Sequence, residues 1–253
     1  MDHLNVYEDA KRAETYATLE FPGTYYLAYR DLPEIIARYV TGDRAIDIGC
    51  GTGRSTRFLQ SLGFDTVGVD IAGEMIAKAR QIDPDGDYRL IDEGNLSQFE
   101  EAAYDLAVAI FTFDNVPTME EKVKLLAEMR RLLKNDGRII NLVSAPQIYT
   151  HEWASFSTKD YPENREAKSG DRVRIVMTDV ADSRPVEDVV WSDEAYQETY
   201  RQAGLHVMAT HKPLAKEDEP YEWVNETRIA PWVVYVLQKV RETPSRKRPV
   251  RAF

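Results

Sequence analysis

The sequence predicts an α/β fold: a mostly parallel sheet with helices on both faces. Three observations carry that expectation. Apolar runs alternate with amphipathic segments as far as Val143, the pattern of strands joined by crossover helices. The run Ala45-Ile46-Asp47-Ile48-Gly49-Cys50-Gly51-Thr52-Gly53 reads as a buried strand breaking into a glycine turn, with a helix starting at Arg54. A second apolar segment, Val67-Gly68-Val69, ends on a lone acid, Asp70, about twenty residues beyond the turn, where a carboxylate takes the two hydroxyls of a ribose.

The elements follow in order. Residues 6–20 are polar with helical spacing, and Leu32, Ile35, Ile36, Tyr39 and Val40 mark a helix over 31–41. Strand one covers 44–48, a helix 54–62, strand two 65–70, a helix 73–82 and a short strand three 87–91. Strand four is the apolar run 104–110. Val123, Leu126, Met129 and Leu133 share one face of a helix over 119–134. Asn135-Asp136-Gly137 reads as its stop, and 138–143 as strand five. The alternation then breaks: residues 145–190 are rich in Ser, Asp, Pro, Tyr and Trp, with one strand expected at 172–180. Order resumes with a helix at 193–203, strand six at 205–211 and strand seven at 232–239.

A chain of 253 residues with 43% hydrophobic content can form one large α/β domain with insertions, or a domain with a small cap. The net charge of -11 argues against a nucleic-acid partner, because phosphate binding rests on Lys and Arg. The tail 241–253 is locally basic, and its Pro and Arg content reads as a disordered end. Cys50 is the single cysteine, so no internal disulfide forms, and with no His nearby in the sequence a nucleophilic role is disfavoured. The N-terminus is charged and lacks an apolar leader, and no run approaches the length of a membrane span. A cytoplasmic protein with no membrane association, monomeric or homodimeric, is the expectation.

The glycine spacing selects among nucleoside ligands. A dinucleotide fingerprint needs Gly-x-Gly-x-x-Gly so that a helix N-terminus meets a pyrophosphate. Here Arg54 stands where the last glycine belongs when the count starts at Gly49. The pattern is instead Asp47-x-Gly49-x-Gly51-x-Gly53. The Asp47 carboxylate would repel a pyrophosphate and suits a ligand carrying an ammonium group.

The run resembles motif I of the class I S-adenosylmethionine-dependent methyltransferases, and the resemblance extends across roughly residues 40–145. It implies a Rossmann-like seven-stranded sheet whose last strand is antiparallel, with a cap inserted after strand five. S-adenosylmethionine is then the cofactor and S-adenosylhomocysteine the product. Carried over residue by residue, the resemblance places Asp47, Gly49, Cys50, Gly51 and Gly53 around the cofactor. Asp70 falls on the ribose, Ile71 and Met75 at the adenine, and Asp92, Glu93 and Gly94 at the adenine edge. Ile110 and Phe111 would line the methionine portion. Family members that methylate amino groups of DNA bases often end strand four in an Asn/Asp-Pro-Pro-Tyr signature. This chain has Phe111-Thr112-Phe113-Asp114-Asn115-Val116-Pro117 there, which points to a small-molecule acceptor.

Two segments are free to cover that acceptor. The stretch 21–30 is dense in aromatics and reads either as a connecting turn packed on the core or as a lid. As a lid it would bring Tyr25 and Tyr29 over the ligands and Arg30 onto the cofactor carboxylate. The second is 145–191. His151 there is either a general base or a satisfied polar residue at the cap edge. A His-Glu-x-x-His zinc site is excluded because position 155 is Ser, so no metal is expected. Asp114 and Glu152 are further acid–base or substrate-holding candidates, and Phe113 and Trp153 candidate substrate walls.

The domain reading is an N-terminal helical lid (1–41), a methyltransferase core (42–144 and 192–240), a substrate cap (145–191) and the basic tail. The expected reaction is methyl transfer to nitrogen or oxygen of a small molecule. An RNA or protein acceptor, a non-catalytic S-adenosylmethionine-binding protein and a dinucleotide oxidoreductase are the alternatives.

Overall fold

The computed structural model describes residues 22–180 and 184–240. The expected helix over 6–20, Phe21 and the basic tail 241–253 lie outside the described residues. Helices α1 (Thr24–Arg30) and α2 (Leu32–Tyr39) lead into β1 (Arg44–Ile48), α3 (Arg54–Ser61), β2 (Asp65–Asp70), α4 (Gly73–Ile82) and β3 (Asp87–Leu90). β4 (Tyr104–Ile110), α5 (Met119–Leu132) and β5 (Leu133–Ser144) follow. Three short strands come next: β6 (Phe156–Ser157), β7 (Arg172–Met177) and β8 (Val186–Val189). The described chain ends with α6 (Asp193–Gln202), β9 (Leu205–His211) and β10 (Trp232–Lys239).

Seven strands make one sheet in the order β3-β2-β1-β4-β5-β10-β9. β1 pairs in parallel with β2 and β4, β4 with β5, and β2 with β3. β10 runs antiparallel to both β5 and β9, so the sheet is the mostly parallel one with a reversed last strand that the resemblance implies. A parallel sheet must be covered on both faces, and the alternation along β4 shows it. Leu106, Val108 and Ile110 join a core under α1, α2 and the short strands. Ala107 and Ala109 join the opposite core under α5 and α6.

Three local readings are corrected. Residues 24–30 form a helix rather than a connecting turn, because Leu27, Ala28 and Tyr29 bury one face against the first core. Asn135-Asp136-Gly137 does not stop α5: the chain passes straight into β5 at Leu133, which is buried and pairs with Tyr104. Residues 134–137 then bulge out before Arg138 pairs with Leu106. Gly137 serves close approach, since a Cβ there would lie 3.0 Å from the Tyr104 carbonyl oxygen. The 145–190 stretch holds three strands in an antiparallel sheet, β6-β7-β8, rather than one.

α5 starts where the sequence places it. Thr118 and Glu121 form a capping box that satisfies two of the orphan N–H groups of the first turn. The helix also buries a charge, Lys122, on its inner side.

Candidate functional site

Ligands of open α/β sheets bind beyond the carboxyl ends of the strands, and here those ends bring together the turn after β1, Asp70, Phe111 and Ser144. Gly51 has φ +54, and a Cβ built on it would meet nothing within 4 Å, so the turn presents bare backbone to open space. Gly49 and Gly53 serve packing: a Cβ would run into Thr112 at 2.5 Å and into the Tyr88 ring at 2.6 Å. Asp70 accepts the Gly51 N–H at 2.8 Å and the Ala72 N–H at 2.9 Å. A carboxylate has about four acceptor positions, so both oxygens keep capacity for hydroxyl donors. Beside it Ile71 is 44% exposed, an apolar side chain with room for a flat ring to cover it.

Asp47 lies buried beneath the turn. Its Oδ2 accepts from Ser55 Oγ at 2.6 Å and Thr56 Oγ1 at 2.7 Å, while Oδ1 has no hydrogen-bond partner. Burial pushes its carboxyl up to about 6, the Asp70 charge adding to the effect and the two hydroxyls opposing it. An orphaned buried acceptor is costly, and a cationic donor arriving over the turn would satisfy it. The bare turn, the Asp70 carboxylate with acceptor capacity to spare, the exposed Ile71 and this orphaned oxygen fit S-adenosylmethionine.

Arg54, the first residue of α3, is marked in the sequence only by standing where a dinucleotide site has a glycine. Its guanidinium lies 5.1 Å from the Tyr25 ring centroid and 5.2 Å from that of Tyr29. It also lines a cavity of about 80 Å³ whose walls include the rings of Tyr25, Phe111, Phe156 and Trp232. These rings pack on one another, with Phe111 and Trp232 centroids 4.7 Å apart and Tyr25 stacked on Trp232 at 5.8 Å. Phe111 reaches this position with φ +62, a left-handed backbone that costs an aromatic residue roughly 1–2 kcal/mol. The floor is polar: Asp114, Ser144, Tyr149 and Asp188. Asp114 accepts from Ser144 Oγ at 2.8 Å and the Ser144 N–H at 3.1 Å. The Tyr149 hydroxyl donates to Asp188 at 3.0 Å.

Several candidates fall elsewhere. Arg30 is committed to Asp31 at 2.7 Å and Glu219 at 2.6 Å and does not line the cavity, so it is not placed for the cofactor carboxylate. His151 stands off the cavity, its Nδ1 facing Thr150 Oγ1 and the Gln147 carbonyl. Glu152 accepts from the Thr158 N–H at 2.7 Å and caps a loop. Trp153 donates to the Ile148 carbonyl at 2.8 Å inside the core. Phe113 points into the opposite core with α5. Met75 is 2% exposed and covered by protein. The Cys50 thiol is turned into a small cluster with Ile76, Ala79 and Tyr88, and burial raises it well above the ordinary thiol range. Ile110 lies in the first core rather than in the cavity wall. Tyr29 is buried beside Arg54, Asp92 and Glu93 are exposed, and Gly94 has φ +65 with open space around it. The residues missed by sequence, Arg54, Ser144, Tyr149, Asp188 and Trp232, come from five separate elements or turns.

The family model described as a methyltransferase domain matches residues 46–141. A ubiquinone biosynthesis O-methyltransferase from Cereibacter sphaeroides is 31% identical over 58% of this chain and 69% of its own length. A Bacillus subtilis protein named for methylating guanine N1 of 23S rRNA is 28% identical over 73% of this chain and 61% of its own length. A demethylmenaquinone methyltransferase from Renibacterium salmoninarum is 30% identical over 40% of this chain and 41% of its own length. The chain thus spans about 40 to 60% of the first curated relatives it matches. An S-adenosylmethionine-dependent methyltransferase structure from Clostridium acetobutylicum superposes with a TM-score of 0.62 at 14% identity, over 90% of this chain and 98% of that one. Taken with the glycine turn, Asp70 and the strand order, these matches establish that the chain belongs to the class I S-adenosylmethionine-dependent methyltransferases.

Proposed function

We propose that the chain moves a methyl group from S-adenosylmethionine to a nitrogen or oxygen atom of a small molecule held in the aromatic cavity. The observation that carries this reading is Arg54. It opens the helix after the glycine turn and also lines the cavity, so donor and acceptor sites share a wall. In this reading Asp70 takes the ribose, Asp47 the ammonium, and Arg54 the carboxylate of the methionine portion, for which a guanidinium fork is suited.

S-adenosylmethionine supplies an already activated methyl on a sulfonium. The protein's work is to orient the two partners and keep water out. Tyr25, Phe111, Phe156 and Trp232 form that dry wall. At about 80 Å³ the cavity is well below the several hundred Å³ typical of ligand sites, so an acceptor enters by displacing part of the aromatic lid. The relatives named for quinone precursors support a small acceptor.

The Bacillus relative's name favours a second reading, an RNA acceptor; the net charge of -11 weighs against it. Calorimetry with S-adenosylmethionine, S-adenosylhomocysteine and NAD tests the donor half, and binding of NAD alone would overturn it. S-adenosylhomocysteine release on small amines and phenols against ribosomal RNA tests the acceptor half.

A further inference from the structure

We propose that Lys122 is a positioning residue: its buried ammonium holds the Asp114 carboxylate ionised and aimed into the cavity, as the proton acceptor for the molecule being methylated. The inference rests on the methyl-transfer reading given above.

Lys122 is fully buried, and a buried ammonium costs several kcal/mol unless something compensates it. It occupies the inner side of α5 with Leu126 and Met129, where an apolar residue would cost nothing. Its Nζ donates to the carbonyl of Phe113, the residue just before Asp114 in the single 3₁₀ turn Thr112–Asp114. The ammonium is boxed by aromatic faces, 4.8 Å from the Trp191 ring centroid, 5.6 Å from Tyr196 and 5.9 Å from Phe113. It does not line the cavity, whereas Asp114 does. Lys122 therefore acts on any acceptor only through the turn it pins and the charge it places behind Asp114.

Asp114 is held from two sides. Ser144 donates through N–H and Oγ, fixing the carboxylate to the end of β5. The groups around it are Lys122 on α5, Tyr149 in the turn after β5, Asp188 on β8, Tyr196 and Tyr200 on α6, and Arg54 on α3. Burial favours the protonated acid, and Lys122 and Ser144 oppose it. Of the ionised neighbours, Lys122 is the one whose charge favours the Asp114 anion in that balance, and Asp114 in turn favours the ammonium against burial.

An ionised carboxylate at the cavity floor gives the reaction its base. The acceptor's N–H or O–H proton passes to Asp114. The lone pair left on that atom forms the new bond to the methyl carbon as the carbon–sulfur bond breaks, and that bond's electrons stay on sulfur. No oxidant, metal or covalent enzyme intermediate is involved. The acceptor class is accordingly a compound whose nucleophile still carries a removable proton.

The test is carbon-13 NMR of the full chain with labelled aspartate carboxyls, the Asp114 resonance being identified by its loss in Asp114→Asn. In the wild type with S-adenosylhomocysteine bound, Asp114 is expected to be ionised at pH 7. In Lys122→Met its titration midpoint should rise by at least one pH unit, and Lys122→Arg should restore most of the shift. S-adenosylhomocysteine affinity should stay within about twofold in all three, separating this proposal from the donor site. An unmoved midpoint in Lys122→Met overturns the proposal. So does an Asp114 that is protonated at pH 7 in the wild type, a result independent of whether the Lys122 variants fold. Loss of S-adenosylhomocysteine binding by the wild type would instead sink the methyl-transfer reading itself.

Discussion

The Gly51 N–H donates to the Asp70 carboxylate at 2.8 Å, tying the turn after β1 to the end of β2. The acid proposed to take the ribose is therefore also a strut of the turn after β1. Since the Ala72 N–H is held by the other oxygen at 2.9 Å, one side chain sets two loops.

Asp70→Ala should cost both functions. We expect S-adenosylhomocysteine binding to weaken at least tenfold by calorimetry, about 1.4 kcal/mol or more, with a lower Tm from the two stranded N–H groups. Asp70→Asn keeps an acceptor for one of them and should recover most of the Tm but little of the affinity. Unchanged affinity in the alanine variant would refute the ribose role.

With Asp47 taking the ligand ammonium as proposed, binding should depend on pH. Its carboxyl is raised by burial to about 6, so the folded, ligand-free protein favours the neutral acid. The sign follows: this residue's contribution to stability is full below the ordinary carboxylate value near 4 and is lost as pH rises through about 6, on the order of 3 kcal/mol in all. A ligand ammonium needs the anion, so S-adenosylhomocysteine should bind more weakly at pH 5 than at pH 7.5. Asp47→Asn should flatten that dependence; a dependence of the same size in the variant would remove Asp47 from the account.

Arg54 can be separated from the adenosyl contacts by choice of ligand. Arg54→Gln should weaken S-adenosylhomocysteine at least tenfold while leaving 5′-methylthioadenosine, which lacks the amino-acid portion, within about twofold. Equal losses on both ligands would mean that Arg54 shapes the turn rather than reading a carboxylate.

The glycines of the turn should behave differently from one another. Gly49→Ala drives a Cβ to 2.5 Å from Thr112, a side chain whose Oγ1 is itself bonded to the Ile48 carbonyl at 2.6 Å. It should destabilise the fold by roughly 2 kcal/mol or more in urea unfolding. Gly51→Ala meets nothing and should cost only the left-handed strain, about 1 kcal/mol, yet abolish measurable S-adenosylhomocysteine binding. The reverse ranking would reassign which glycine faces the ligand.

The core strands are legible because a parallel sheet buries both faces, leaving β1, β2 and β4 as apolar runs, the first ending before Gly49 and the second on Asp70. The start of β5 is hidden in the sequence because Asn135-Asp136-Gly137 is stop chemistry that here serves a bulge. α1 lacked a side-chain cap, and its aromatic density hid its period. The cavity is legible only in part: Tyr25, Phe111 and Asp114 are candidates from the sequence and line it. Arg54, Ser144, Asp188 and Trp232 share no local pattern, and sequence shows the charge of Arg30 but not that a salt bridge already spends it. Glu219, the partner that removes Arg30 from contention, is 189 positions away.

Trp232 stacks on Tyr25, and its indole N–H donates to the Thr24 carbonyl at 2.8 Å across 208 positions. The two halves of the proposed site thus form at different times. The donor-side residues Asp47 to Asp70 emerge early in synthesis and close over short loops. The acceptor chamber has no back wall until almost the whole described chain is available and β10 has slotted between β5 and β9. Long-range closure of this kind is the slow part of folding. In the proposed reading, the last described strand is therefore what closes the acceptor side of a nucleoside-binding half-domain.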